Sequence, residues 1–78
     1  MSSNPSPYVR IQLYFDDHSV RLADVLENTA TLYEPLKLAT ATPATLVLTI
    51  DGEVLARRVT APPCDGQPGD VIRFLRGA

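Results

Sequence analysis

The chain has little with which to build covalent or metal scaffolding. Its 78 residues include one cysteine (Cys64), one histidine (His18), one methionine and no tryptophan. A single cysteine allows no internal disulfide and closes no cysteine-based zinc or iron–sulfur site. A single histidine excludes a metal centre built on several. The longest apolar run falls well short of the ~20 residues a helix needs to cross a bilayer. Residues Met1 to Pro7 carry neither a basic start nor an apolar core, so no signal peptide is expected. There is no Gly-rich phosphate loop, and no nucleophile sits in an elbow motif. Lys37 is the only lysine, so chains built by self-linkage through internal lysines are not indicated.

What is present is ordinary for a small folded protein. Hydrophobic residues make up 45% and charged residues 21%. The length allows one domain, which buries only about 60–65% of its unfolded surface and is marginally stable for that reason. Seven Lys+Arg against nine Asp+Glu give a net charge of −2. Arg57, Arg58, Arg73 and Arg76 are too few and too scattered for the basic patch that phosphate neutralisation requires, so nucleic acid is not an expected partner. The composition describes a soluble, cytoplasmic, membrane-free protein with no catalytic machinery of its own.

Hydrophobic periodicity divides the chain. Residues 1–7, with two prolines and three serines, read as a disordered leader. From residue 8 the pattern alternates: Val9, Ile11, Leu13 and Phe15 share one face, and Arg10, Gln12 and Tyr14 the other. Asp16–His18 breaks the run with turn chemistry, and Ser19–Leu22 resumes the alternation as the second strand of a hairpin. Ser19 as the cap of a longer helix is the competing reading. Residues 24–34 change period: Val25, Leu32 and Leu36 fall on one helical stripe, Asp24 and Glu27 have capping-box spacing, and Pro35 ends the helix. Thr45–Ile50 reads as a strand buried on both faces, Asp51-Gly52 as a hairpin turn, and Val54–Ala56 as a short return strand. Residues 57–69 read as loop. Val71–Leu75 reads as the last strand, central and parallel to the first, with Ile72 and Phe74 inward. The opposite register would bury Arg73.

Strand, strand, helix, strand, short strand, strand is the order of the β-grasp. The segment Leu48–Leu55 resembles the strand-turn-strand of small sulfur carriers of the ThiS and MoaD type. Gly69–Phe74 resembles their Gly-Asp turn and last strand, and Leu75–Ala78 resembles the Leu-Arg-Gly-Gly terminus of ubiquitin. The resemblance implies an α+β, ubiquitin-like β-grasp domain over residues 8–75, a mixed four- to five-stranded sheet packed on one helix, with residues 76–78 as a tail.

It further implies a modifier or carrier with its reactive carboxylate at Gly77 or Ala78. An adenylating enzyme using ATP and magnesium would activate that carboxylate, and a downstream transfer protein would pass it as a thioester to a protein amine. The carrier itself would bind no cofactor. The ThiS/MoaD-like alternative is a C-terminal thiocarboxylate. Ala78 departs from the family's terminal Gly-Gly, so the resemblance admits either direct use of Ala78 or a tail-trimming peptidase. Only six residues separate Asp70 from Gly77, fewer than the family usually has. Arg73, Leu75 and Arg76 are the expected partner contacts, the arginines steering toward an acidic groove on an activating enzyme; ordinary surface arginines on a solvated strand edge are the competing reading, preferred for Arg73. Tyr14, Val47 and Leu55 form an expected apolar patch on the outer sheet face. A non-conjugated β-grasp interaction module, binding partners through the sheet face or an exposed edge, is the alternative from another class. Cys64 reads as an incidental thiol in an exposed loop, Asp16–His18 as a solvated turn, and Asp65 and Asp70 as partners of local backbone amides.

Overall fold

A computed structural model describes residues 9–75 of the chain. The expected leader at 1–7 and the tail Arg76, Gly77 and Ala78 lie outside that range. Within it every regular element is a strand: β1 (Val9–Tyr14), β2 (Ser19–Leu26), β3 (Thr29–Leu32), β4 (Leu36–Leu38), β5 (Thr42–Ile50), β6 (Glu53–Ala61), β7 (Cys64–Gly66) and β8 (Val71–Arg73). All pairings between them are antiparallel.

The absence of a helix corrects the α+β β-grasp expectation. Residues 24–34 form the end of β2, a tight turn and β3. The apolar residues used to draw a helical stripe also satisfy a strand pattern once the turn is placed. Glu27 takes a left-handed φ of 55°, which reverses the chain so that Leu26 pairs with Thr29 and Val25 with Ala30. Thr29, Ala30, Thr31 and Leu32 then alternate, with Ala30 and Leu32 buried. The β-branched threonines favour the pleated conformation. The expected Asp24 cap has no helix to serve. Its carboxylate accepts the Val25 N–H at 2.8 Å, at a register shift between Leu22 and Asp24. That bulge lets both Leu22 and Val25 face inward, which strict alternation would forbid.

Six strands form one sheet in the order β6-β5-β1-β2-β3-β8. The first strand, not the last, is therefore central. β8 lies at an edge, antiparallel to β3, and does not pair with β1. The sheet curls until its two ends meet: the Leu75 N–H donates to the Thr60 carbonyl at 2.9 Å, the one bridge between β6 and the chain beyond β8. Ile11, Leu13, Val20, Leu22, Ala44, Leu46, Ala61, Ile72 and Phe74 bury their side chains inside the curl. Ile72 and Phe74 thus point inward as expected, but beneath a sheet. β5 is buried on one face only, and β6 is nine residues long rather than three.

A two-stranded ribbon, β4 with β7, packs below. Leu36 is buried there, and Gly66 lies so close to Leu32 that a Cβ would come within 2.5 Å of its Cδ1. Cys64 is half-buried on this ribbon, not in an exposed loop. Its Sγ points to the Leu36 carbonyl at 3.6 Å. The turn into β8 runs Gln67-Pro68-Gly69-Asp70: proline second, glycine third at φ 95°, and an Asp70 N–H to Gln67 carbonyl bond of 2.9 Å. These are the marks of a type II turn. The Asp70 carboxylate accepts the Gln67 N–H at 2.8 Å, the local role expected for it.

A candidate protein-interaction edge

The β5–β6 hairpin is specified locally. Asp51 at φ 50° and Gly52 at φ 89° form a two-residue turn in the left-handed region, the geometry whose twist matches flanking strands. Nine cross-strand pairs follow, from Ile50 with Glu53 to Thr42 with Ala61. The other side of β6 is different. Thr60 turns its carbonyl away from β5, toward Leu75. Along a strand, backbone groups point to the same side at every second residue. Arg58, Ala56 and Val54 therefore direct their N–H and C=O groups to that same outer side. Among the described residues none of them has a backbone partner there.

Two grooves flank this open edge. One, of about 360 Å³, lies at the mouth of the curled sheet. Val25, Leu46, Leu48 and Leu55 make its apolar floor, with Glu27 and Arg57 on its rim. Leu55 remains 60% exposed. The Arg57 guanidinium donates to the Glu27 carbonyl at 3.5 Å, which holds the rim to the β2–β3 turn. The second groove, of about 410 Å³, lies at the seam between Arg57, Arg58 and Thr60 on one side and Asn28, Phe74 and Leu75 on the other. Arg58 donates to Thr45 Oγ1 at 3.0 Å across the outer face.

The residues expected to bind partners are spread over the sheet. Tyr14 is exposed on the outer face of β1, its hydroxyl on Gln12 Oε1 at 3.0 Å. Val47 is half-buried on the same face, opposite Gln12 and Ala56. Leu55, expected beside them, lies on the inner face, because its partner Leu48 in turn pairs with Ile11. Arg73 is exposed at the β8 edge opposite Thr29. Leu75 is partly exposed, and its backbone closes the seam. Arg76, Gly77 and Ala78 fall outside the described residues.

The outer-side backbone of Val54–Arg58 and the groove floor were not anticipated. The sequence did contain the signal: a Glu53-x-Leu55-x-Arg57 alternation after a hairpin turn. It acquires meaning only once the length and free side of β6 are known.

The remaining titratable groups form no second centre. Among the described residues no three of His, Cys, Asp and Glu are grouped to hold a metal ion, and no helix is long and apolar enough to cross a membrane. Asp17 accepts from His18 Nδ1 at 2.7 Å in an exposed turn, and the His18 ring stacks on Phe15 at 4.9 Å between centroids. A comparison with protein-family models, with curated proteins and with solved structures yields no match to this chain.

Proposed function

We propose that the protein is an interaction module that takes an extended segment of a partner protein beside β6 as an added strand. The observation that carries this is the row of backbone groups at Val54, Ala56 and Arg58 that have no backbone partner among the described residues, next to an apolar groove open to solvent. Strand addition draws its affinity from main-chain hydrogen bonds and its selectivity from pockets for alternate side chains. The edge provides the first and the Leu48–Leu55 groove the second. Arg57 and Arg58 favour a segment carrying carboxylates, by complementarity.

In this reading the chain performs no catalysis and carries no cofactor. A cytoplasmic setting belongs to the same proposal, since the one cysteine, Cys64, is a free thiol. Adenylation at the C-terminus by an ATP- and magnesium-using partner draws its support only from the resemblance of Leu48–Leu55, Gly69–Phe74 and Leu75–Ala78 to the carriers and to ubiquitin. Among the described residues there is no helix-backed platform of the kind the carrier reading assumed.

The test is a titration of the labelled protein with a synthetic eight-residue peptide alternating valine and glutamate, followed by amide NMR. Shifts confined to residues 53–58 and the groove, lost on Ala56→Pro, are expected. Shifts centred on Tyr14 and Val47, with the β6 amides unmoved, would replace strand addition by face binding.

A further inference from the structure

Resting on that reading, the structure assigns the strand that fits the β6 edge best: β6 of a second copy of the chain, in one antiparallel register. Two identical strands pair antiparallel about a two-fold axis, so every contact occurs twice. Only residues that turn their backbone to the open side can form the hydrogen-bonded pairs. In β6 these are Val54, Ala56 and Arg58, which restricts the register to steps of two.

The seam limits the choice. A register centred on Ala56 would put the hairpin turn of the second copy at Thr60, whose carbonyl is already taken by Leu75. One centred on Arg57 would carry the turn past it and set Arg57 against its own symmetry mate. One centred on Val54 sets Leu55 against Glu53 of the second copy. The register centred on Leu55 avoids all three.

In that register Val54 exchanges backbone bonds with Ala56 of the second copy, and Ala56 with its Val54. On the inner face Leu55 meets Leu55, continuing the apolar floor from one copy to the other. Glu53 stands opposite Arg57, and Arg57 opposite Glu53. Opposite charges in directly facing positions stabilise an antiparallel pair, and like charges destabilise it. Gly52 in the turn of the second copy stands opposite Arg58, at the mouth of the seam groove. Leu55 and Val54, 60% and 62% exposed in the single chain, become covered together. The interface is short, so the dimer is weak and concentration-dependent.

The experiment is sedimentation of the full chain over a range of concentration, with folding of each variant checked by circular dichroism. The wild type should dimerise. Glu53→Arg alone and Arg57→Glu alone each set two like-charge pairs across the axis and should weaken dimerisation about tenfold or more. The combined Glu53→Arg/Arg57→Glu swap restores both opposite-charge pairs and should restore the dimer. Ala56→Pro deletes an N–H that β5 does not use, and should abolish it.

A dimer indifferent to the single reversals would overturn the register and the inference with it. A monomer at every concentration that still takes the valine–glutamate peptide at residues 53–58 would overturn the second copy as occupant and leave the interaction module standing. A monomer that takes no peptide ends both.

Discussion

The two ends of this one curled sheet are built from the same residue types and finished differently. Where β6 runs out toward Ala61, the seam is closed by Leu75, and the β4–β7 ribbon covers the floor. Leu13 and Ala61 are wholly buried there, and Leu32 and Leu36 nearly so. Toward the Asp51-Gly52 turn the inward-facing pattern continues through Leu48 and Leu55, but Leu48 is only partly buried and Leu55 stays largely exposed. Alternation thus fixes which face of a strand is apolar. It does not determine whether that face is enclosed, since enclosure depends on where the sheet closes on itself.

The sharpest way to test this comparison is to cut the same side chain at both ends. Leu13→Ala removes a fully buried side chain from the central strand and should cost about 2–5 kcal/mol, through lost transfer energy and the cavity left behind. A domain of this size has little more than that to lose. Leu55→Ala should stay within about 0.5 kcal/mol in the monomer, because its side chain is already largely in water. Urea unfolding at low protein concentration measures both. Equal losses would mean that the Leu55 end is enclosed after all.

The next largest effect probes the covered floor. Gly66 has no room for a side chain, because a Cβ would lie 2.5 Å from Leu32 Cδ1 and 3.7 Å from the Leu36 carbonyl. A long, exposed side chain would swing aside, but Leu32 is enclosed by the core. Gly66→Ala should therefore lose about 1–3 kcal/mol, the range for overpacking. The expected readout is a lower thermal midpoint, with reduced hydrogen-exchange protection in β4 and β7. Unchanged protection in the ribbon would show that the floor yields, and the contrast between the two ends would shrink.

Much of this architecture was legible in the residues, and the illegible parts share a cause. The β1–β2 hairpin followed from strict alternation, the β5–β6 turn from Asp51-Gly52, and the inward placement of Ile72 and Phe74 from the penalty on burying Arg73. The helix over residues 24–34 was misread because Val25, Leu32 and Leu36 fit a 3.6-residue stripe when no reversal is assumed. The reversal rests on Glu27, a residue with no turn signature, held at positive φ by the pairing around it. Placing the last strand in the centre followed from that error, since a helix would have carried the chain across the sheet. The open edge of β6 was invisible for a different reason. A free edge is a property of strand order, and nothing in the local pattern of residues 53–58 records which neighbours are missing.

The smallest effect belongs to the turn joining β1 and β2. The Asp17 carboxyl sits below its ordinary value, chiefly because the His18 ring hydrogen-bonds it, assisted by its own backbone and the charge of His18. A carboxyl with a lower value folded than unfolded stabilises the folded chain above its unfolded value. That contribution is lost as the pH falls through the lowered folded value. Asp17→Asn should therefore melt slightly below the wild type at neutral pH, and the gap should close as the pH drops below the ordinary value of 3.8. Because the Asp17 carboxylate is open to solvent and the His18 ring about half so, salt should narrow the gap as well. Paired thermal melts across pH at low and high salt measure it. A gap that persists undiminished in acid would show that asparagine disturbs the turn itself, for instance by altering the Phe15–His18 stack, and that the ion pair contributes nothing at this end of the sheet.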